Sequence, residues 1–158
     1  MKKQEKKTGL EEFLKGGQET LPGFRFQIYR AEEKRSLWNA DFELLFLLKG
    51  DGRVSYEDGV VYQIREKDLF VVNGFQICSI DLNEQGILLS LKMSADAIAS
   101  VHIEFLKYEI ECRSFLFTEE QQEVFDIIRS DLARVFQEAY KNDMMQPVNA
   151  RSRITALL

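Results

Sequence analysis

The chain has 158 residues, and its 21 basic and 26 acidic side chains give a formal net charge of -5 at pH 7. This length suits one compact domain with its own core. Nucleic-acid binding depends on clustered Lys and Arg, and here the basic residues alternate with acidic ones. The composition therefore argues against a segment that holds DNA or RNA by itself.

The sequence carries no signal for a membrane or for export. No apolar run reaches the roughly 18 residues that a transmembrane helix needs. The charged N-terminus is not followed by the apolar stretch of a signal peptide. The two cysteines, Cys78 and Cys112, are typical of reduced thiols rather than of a disulfide framework. We therefore expect a cytoplasmic protein that does not contact a membrane.

Residues 1–20 form a charged segment that we expect to be flexible or briefly helical. From Phe24 onwards, apolar stretches of strand length alternate with turn residues about every 8–12 positions, which predicts a sandwich or barrel. The predicted strands are Phe24–Ala31, Phe42–Leu48, Arg53–Tyr56, Val60–Ile64, Leu69–Val72, Gln76–Ile80 and Ile87–Met93.

The turns between these strands indicate antiparallel pairing. Asp58-Gly59 and Asn73-Gly74 each separate two apolar stretches, and both dipeptides tolerate the positive φ angles of a type I′ turn. No helical pattern lies between the strands, so a parallel sheet with crossover helices is excluded. We expect the sheet to close into an antiparallel barrel with an interior cavity, because closure removes exposed edges.

The pattern becomes helical after Met93. A short helix is predicted near residues 94–104, followed by a β-prone stretch at Cys112–Phe117. Thr118 and Gln121 have the spacing of a capping box, which predicts the start of a long helix. One apolar stripe is expected on it, formed by Val124, Ile127, Ile128, Leu132, Val135, Phe136 and Ala139.

A further helix is predicted from Val148 to Leu158. It stops within its apolar stripe and without a capping residue. A frayed terminus is one interpretation, and a missing continuation of the protein is the one that we favour.

An ordered set of motifs runs from Leu37 to Ile80. Its pieces are the strand Leu37–Leu44, the turn Lys49–Gly52, the hairpin Val54–Ile64, the strand start Lys67–Phe70 and the corner Asn73–Cys78. In order and spacing the set resembles the N-terminal cupin domain of AraC-type transcription regulators. Cys112–Phe115, with the helices that follow, is similar to the dimerisation region of that family.

This resemblance implies a mainly β fold with C-terminal helices. The fold would be a double-stranded β-helix, a cupin-like or jelly-roll-like antiparallel barrel spanning residues 21–117. Residues 118–158 would form a helical dimerisation and linker region that leads to an absent DNA-binding helix-turn-helix domain. The implied function is effector sensing and dimerisation, with DNA bound only through the missing domain.

The resemblance also shows where this chain departs from cupin enzymes. Those enzymes bind a metal ion through three histidines and a glutamate, and the matching positions here are Leu37, Asn39, Glu43 and Cys78. One carboxylate with a distant thiol is a poor site for zinc, iron or manganese. We therefore expect no metal, no cofactor and no catalytic residue, in a protein that is not an enzyme. The alternatives are a stand-alone cupin binding protein and a metal-dependent cupin enzyme, and the missing histidines weigh against the enzyme.

Glu43 is the leading candidate for a ligand-binding residue. It lies in the most apolar strand, and a buried carboxylate is costly unless it is paired. Two interpretations stay open at this point. The partner is either the hydroxyl, amine or amide of a bound ligand, or an internal arginine, tyrosine or water, for which Arg25 and Tyr62 are the side-chain examples.

Three further residues are candidates for the same site. On the family register Trp38 lies near the mouth of the barrel, where it would stack on a ligand or simply pack. Asn39 would donate a hydrogen bond to a ligand or serve a turn, and Cys78 would be a small filler that faces inwards. The single histidine, His102, is expected to be structural or on the surface.

The partners that we expect are a small-molecule effector and a second copy of the chain. The apolar stripe on the long helix either covers the barrel or, together with Val148–Leu158, also buries against a partner. A homodimer is favoured because two-fold symmetry matches two DNA half-sites.

Overall fold

The computed structural model describes residues 19–31, 35–38 and 40–141. Within these ranges, nine strands come first and two helices follow. The strands are β1 (Glu19–Leu21), β2 (Phe24–Arg30), β3 (Arg35–Leu37), β4 (Phe42–Lys49), β5 (Asp51–Tyr56), β6 (Val61–Arg65), β7 (Leu69–Val72), β8 (Cys78–Leu82) and β9 (Ile87–Met93). The helices are α1 (Ala95–His102) and α2 (Gln122–Lys141), with short 3-10 turns between them.

The strands form two antiparallel sheets that face each other. The first sheet has five strands in the order β1-β2-β9-β4-β7, and the second has four in the order β3-β8-β5-β6. The mainly β architecture with C-terminal helix is therefore confirmed. The closed barrel is wrong, because no strand pairing joins the two sheets in the described part of the chain.

The outer edge of β7 is occupied by a later segment of the chain, and this keeps the two sheets separate. The backbone N–H of Val71 donates to the carbonyl of Cys112 at 2.9 Å, and that of Leu69 donates to Ser114 Oγ at 2.9 Å. A single β-bridge joins Phe70 to Arg113. Residues 112–114 thus occupy the edge that a closing strand would need.

The same segment corrects the β-prone prediction for Cys112–Phe117. Only Arg113 makes a bridge, and Ser114–Leu116 turns into a 3-10 helix. The side chain of Ser114 explains the change, since its hydroxyl donates to Asp68 Oδ1 at 2.9 Å while accepting from Leu69. This buried side-chain pairing takes the place of a regular ladder.

The five-stranded sheet is covered on both faces. Its outer face packs against the helices, and its inner face packs against the four-stranded sheet. The outer cluster includes Phe24, Phe26, Phe42, Leu44, Leu69, Val71, Leu89, Leu91, Met93, Ile98, Phe125, Leu132 and Val135. The inner cluster includes Tyr29, Leu37, Leu45, Leu47, Val54, Tyr56, Ile64, Phe70, Val72, Cys78, Ile80, Leu82 and Leu88.

The predicted helix starts are confirmed. Ser94 caps α1, since its Oγ accepts from the backbone N–H of Ala97 at 3.1 Å. The backbone N–H of Thr118 donates to Gln121 Oε1 at 3.1 Å, which is one half of a capping box. A 3-10 turn at Glu119–Gln121 then leads into α2.

The apolar stripe of α2 is only partly as predicted. Leu132 and Val135 are buried as expected, and Phe125, which the prediction omits, is buried with them. Val124 and Ile127 are 63% and 64% exposed, so their assignment to the covered face is wrong. The helix is turned so that Phe125 rather than Val124 faces the sheet.

The two predicted turns differ in their backbone geometry. Gly59 has a φ of 74°, in agreement with an Asp-Gly turn. In the second turn the positive φ of 63° falls on Phe75, one residue after Gly74. Gly74 is needed for space instead, since a Cβ there would lie 2.6 Å from the carbonyl oxygen of Ala40.

The sequence pattern does not predict two of the short strands. β1 and β3 have three residues each, too few for a period of two to be recognised. The N-terminal segment 1–18 and the predicted helix Val148–Leu158 lie outside the described residues. Within the described ranges, neither helix has both the length and the apolar character needed to span a membrane.

Candidate ligand site between the sheets

Glu43 lies on the inner face of β4 with 1% of its surface exposed. Its Oε1 accepts two hydrogen bonds, from the Tyr29 hydroxyl at 2.8 Å and from Ser90 Oγ at 2.5 Å. Tyr29 belongs to β2 and Ser90 to β9, the neighbouring strands of the same sheet. Oε2 is buried and has no hydrogen-bond partner among the residues described.

Both interpretations of Glu43 therefore have support. An internal tyrosine does pair with it, but this is Tyr29 with Ser90, not Tyr62 or Arg25. Tyr62 instead packs its ring against Tyr56 and Phe115. The second carboxylate oxygen is left for a group that the described chain does not supply.

The facing sheet contributes an apolar and thiol-bearing wall. Leu37, Cys78 and Tyr56 lie opposite one another on β3, β8 and β5. All three are buried, and Cys78 has no exposed surface. Cys78 is thus an inward-facing filler of the inter-sheet core.

Burial determines the protonation state of Cys78 and Tyr56. It raises the pKa of the Cys78 thiol to about 12, with the charge of Glu43 as a second cause and Arg113 acting in the opposite direction. Burial also raises the pKa of Tyr56 above its ordinary value, again with a smaller opposing effect of Arg113. Both groups are protonated at neutral pH, and the Tyr56 hydroxyl donates to the carbonyl of Val71 at 3.3 Å.

Arg113 brings a positive charge to this site. The bridge to Phe70 holds its backbone at the edge of β7. Its guanidinium carbon lies 4.0 Å from the centre of the Tyr56 ring and 5.9 Å from that of Tyr62, within range of cation–π attraction. Arg113 is far from Cys78 along the chain, so only the fold brings this charge near the thiol.

Two more cations share the inner face with Glu43. Arg25 of β2 is directly opposite Lys92 of β9, which is in turn opposite Glu43 of β4. Residues directly opposite each other point to the same side of a sheet. Glu19 of β1 is directly opposite Arg25 on its other side, so the row of Glu19, Arg25, Lys92 and Glu43 has two acidic and two basic residues. Arg25 is exposed and Lys92 half-buried, so the row runs from solvent into the core.

The structure does not bring Trp38 into this space. Trp38 follows β3 directly and is 67% exposed. Asn39 lies outside the described residues. Of the four candidates, the structure brings Glu43 and Cys78 together.

The donor set does not fit the metal ion of cupin enzymes. Leu37 has no ligand atom, so among the described residues only Glu43 and Cys78 carry one at the matching positions. Across the described ranges, no group of three or more His, Cys, Asp or Glu side chains is placed to hold a metal ion. Glu43 alone provides a charged oxygen ligand at this position.

A separate groove of about 180 Å³ lies on the four-stranded sheet. It is lined by Arg53, Val54, Ser55, Val61, Ser79 and Asp81. Arg53 and Asp81 pair across it at 2.8 Å, so its charged groups already satisfy each other. The groove offers no unpaired buried group comparable to Glu43 Oε2.

Comparison with known proteins gives a fold-level likeness only. No family model and no curated protein match the sequence. Among solved structures, an RmlC-like cupin from Shewanella frigidimarina is 16% identical over 48% of this chain and 80% of its own, with a TM-score of 0.38. A putative mannose-6-phosphate isomerase from Ralstonia eutropha is 13% identical over 47% of this chain and 77% of its own, with a TM-score of 0.40.

Salicylate 1,2-dioxygenase from Pseudoaminobacter salicylatoxidans is 21% identical over 55% of this chain but only 25% of its own, with a TM-score of 0.43. The expectation that this chain is not an enzyme is therefore wrong, because enzymes stand among the structures that it matches. At these identities and TM-scores the likeness assigns no activity. Cupin-like proteins are what the chain is similar to in fold.

Proposed function

We propose that this chain binds a small organic molecule between its sheets, beside Glu43, as the ligand-sensing and dimerising domain of an AraC-type transcription regulator. The observation that carries the proposal is the buried, unpartnered Oε2 of Glu43. A ligand that donates a hydrogen bond to this oxygen would satisfy it.

The energetics of burial support this proposal. A buried carboxylate loses several kcal/mol of hydration, and hydrogen bonds to both oxygens are needed to offset that loss. Tyr29 and Ser90 serve only one oxygen. Protonated Tyr56 and Cys78 supply polar groups nearby, and the surrounding apolar side chains supply the rest of a typical ligand environment.

A connection from the site to α2 supports a sensing role. Arg113 contacts the Tyr56 ring, and the carbonyl of the next residue, Ser114, accepts from Gln122 Nε2 at 3.0 Å at the start of α2. A ligand that displaces Arg113 would therefore change how α2 is held. The size of such a population shift is limited by the difference in ligand affinity between the two states.

Dimerisation is supported by an apolar patch beside this connection. Leu116, Phe117, Val124 and Ile127 are 43% to 64% exposed, and the Phe117 ring lies 5.1 Å from that of Phe125. Large exposed patches of this kind are typical of interfaces. We expect a homodimer in sedimentation, and a monomer at high micromolar concentration would contradict it.

The regulator assignment depends on the sequence resemblance. It predicts that the native gene product continues past Leu158 into helix-turn-helix units. A reading frame that stops at this residue would remove the transcriptional role and leave a binding protein.

Glu43→Gln tests the binding site. The change keeps an acceptor for Tyr29 and Ser90 but replaces the charged, unpartnered oxygen. In a thermal-shift screen of sugars, amino acids and fatty acids, we expect a ligand to raise the melting temperature of the wild type and not of Glu43→Gln. Glu84→Gln, at an exposed turn, is the control and should respond like the wild type. Lost stability with unchanged binding in Glu43→Gln would show that Glu43 is only structural.

A catalytic use of the residues around Glu43 is the second candidate. Its specific support is the hydrogen-bonded group of Glu43, Tyr29 and Ser90, which holds exchangeable protons beside an open carboxylate oxygen. A bound ligand incubated with the protein and examined by NMR separates the two functions. New resonances that need Glu43 would indicate turnover, and an unchanged ligand would indicate sensing.

A further inference from the structure

We propose that Gln122 and Arg129 form a latch that fastens the first half of α2 (residues 122–131) to the β6–β7 turn and thereby assembles the surface through which two copies pair. The latch consists of Ser114, Gln122, Arg129 and Lys67. The pairing of two copies rests on the proposed function, whereas the latch itself rests on contacts within the chain.

The latch is a continuous set of hydrogen bonds between segments that are distant in the sequence. Arg129 Nε donates to the carbonyl of Lys67 at 2.7 Å, and Arg129 Nη2 donates to Gln122 Oε1 at 2.8 Å. Gln122 Nε2 donates in turn to the carbonyl of Ser114 at 3.0 Å. The Arg129 side chain is only 12% exposed, so water competes little for its hydrogen bonds. Two side chains thus join α2 both to the β6–β7 turn and to the segment at the edge of β7.

The β6–β7 turn is the fixed end of the latch. The backbone N–H of Lys67 donates to the carbonyl of Leu47, and that of Leu47 donates to the carbonyl of Asp68, both at 2.8 Å. These bonds hold Lys67 in a left-handed conformation, with a φ of 77°, that a residue with a side chain rarely adopts. Because β4 holds the turn in this way, the carbonyl of Lys67 is a rigid acceptor for Arg129.

The two halves of α2 are held by different forces. Leu132 and Val135, in the second half, have at most 1% of their surface exposed. In the first half Phe125 alone is buried, and Val124 and Ile127 are more than 60% exposed. Segments with few buried apolar contacts open more readily than the core of a protein. The first half of α2 therefore depends on the latch to stay in place.

The latch also joins the two parts of the apolar patch that supports dimerisation. Leu116 and Phe117 of this patch precede α2, whereas Val124 and Ile127 lie on it. Gln122 stands between these two pairs along the chain, and its Nε2 also donates to the carbonyl of Phe117 at 3.3 Å. A closed latch presents both pairs as one surface, and an open latch lets them separate.

The other end of the latch begins at the candidate site. Arg113 directly precedes Ser114, and its guanidinium carbon lies 4.0 Å from the centre of the Tyr56 ring. A ligand that displaces Arg113 would move the Ser114 carbonyl to which Gln122 donates. The latch thus couples occupancy of the site to the surface that pairs two copies.

Hydrogen exchange measured by mass spectrometry tests the latch. Arg129→Gln removes the bonds to Lys67 and Gln122, so we expect the amides of residues 114–131 to exchange at least about tenfold faster, while the strand amides keep their rates. Arg134→Gln is the matched control on the same helix and should behave like the wild type, because the Arg134 side chain is 63% exposed.

Gln122→Ala is a second test that leaves the net charge of the chain unchanged. It breaks the latch at its centre and should speed exchange in the same segment as Arg129→Gln. Unchanged exchange in both latch variants, or an equal increase in the strands, would overturn the latch.

Sedimentation equilibrium tests the coupling to dimerisation. The dissociation constant of the dimer rises as the latched fraction falls. We expect Arg129→Gln to raise it at least about threefold and Arg134→Gln to leave it unchanged. Equal dissociation constants, together with faster local exchange in Arg129→Gln, would overturn the coupling and keep the latch.

Failure of the proposed function can be told from failure of the latch. A wild type that is monomeric at high micromolar concentration would remove the dimer, and with it the coupling. The exchange rates of residues 114–131 in the two latch variants would still decide whether the latch holds α2.

Discussion

The two faces of the five-stranded sheet share the same strands but differ in what they bury. The outer face packs against α1 and α2 through apolar side chains alone. The inner face buries Glu43, Ser90 and the Tyr29 hydroxyl among its leucines. Because Glu43, Ser90 and Tyr29 are at most 3% exposed, the polar groups on the inner face are not explained by contact with solvent. The outer face thus has the composition of a stabilising core, and the proposed ligand site would account for the polar groups on the inner face.

Moving the carboxylate to the outer face is the sharpest way to break this comparison. Leu44 is next to Glu43 on β4, is 4% exposed and points towards the helices. Leu44→Glu should lower the free energy of unfolding by about 3–5 kcal/mol or abolish folding, because no donor meets the new charge. Urea denaturation measures the loss. Leu44→Met, which is close in volume, is the control and should cost less than about 1.5 kcal/mol. Tolerance of the glutamate would mean that the two faces do not differ in this way.

Removing a donor on the inner face should have the next largest effect. Ser90→Ala deletes one of the two hydrogen bonds to Glu43 Oε1, and a hydrogen bond to a charged group contributes about 1.5–3 kcal/mol. We expect a loss of that size in urea denaturation. Ser36→Ala is the matched control, because Ser36 is exposed on β3 and should change stability by less than about 0.5 kcal/mol. Equal effects of the two changes would show that Ser90 does not support the carboxylate.

The pH dependence of stability gives a smaller and more specific test of the inner face. The folded-state pKa of Cys78 is raised from 9.0 to about 12, so between these values the folded protein holds a proton that the unfolded chain releases. Stability is therefore fully present below pH 9 and falls as the pH rises towards 12. The slope from one such thiol reaches at most about 1.4 kcal/mol per pH unit.

Cys78→Ala should flatten this fall, and urea denaturation between pH 8 and pH 10 measures it. Cys112, whose pKa is raised to about 11 by its own burial, provides the comparison. Cys112→Ala should leave the part of the slope due to Cys78 in place. A wild-type stability that rises over this range would contradict the assignment.

The smallest effect is expected outside both cores. Arg53 and Asp81 form an ion pair at 2.8 Å on the solvent side of the four-stranded sheet, and the Arg53 side chain is 58% exposed. Arg53→Ala should cost no more than about 1 kcal/mol, and less at high salt, because water screens the pair. A thermal melt at low and high salt measures this. A cost as large as that of Ser90→Ala would mean that the outer groove is more than a solvated surface.

Sequence patterns were enough to predict the strands that are bounded by turn residues. β9 has the predicted limits, and β7 matches the predicted Leu69–Val72. The closed barrel failed because closure depends on what pairs with β7, and that edge is taken by residues 112–114 through contacts distant in the sequence. The stripe of α2 failed because Val124 and Phe125 both fit a helical period, and only the packed orientation decides between them.

The candidate site shows the same difference between local patterns, which can be predicted, and contacts distant in the sequence, which cannot. A single carboxylate in an apolar strand was sufficient to identify Glu43. Its partners Tyr29 and Ser90 could not be identified, because they meet Glu43 only through the strand order β2-β9-β4. The contact of Arg113 with Tyr56 could not be predicted for the same reason, since Arg113 lies at the edge of the sheet, far from Tyr56 in the sequence. Local chemistry is visible in a sequence, whereas cross-strand neighbours require the register.

The edge strands β7 and β6 also differ in how readily they could pair with a strand of another molecule. The backbone groups along the border of β7 are already bonded to Cys112 and Ser114, so this side has no vacant ladder to share. β6 pairs only with β5 among the described strands, and Val61 on it is 57% exposed. Intermolecular β-augmentation, and with it the risk of aggregation, is therefore favoured more at β6 than at β7, and Arg65 is the one charged residue on β6 that opposes it.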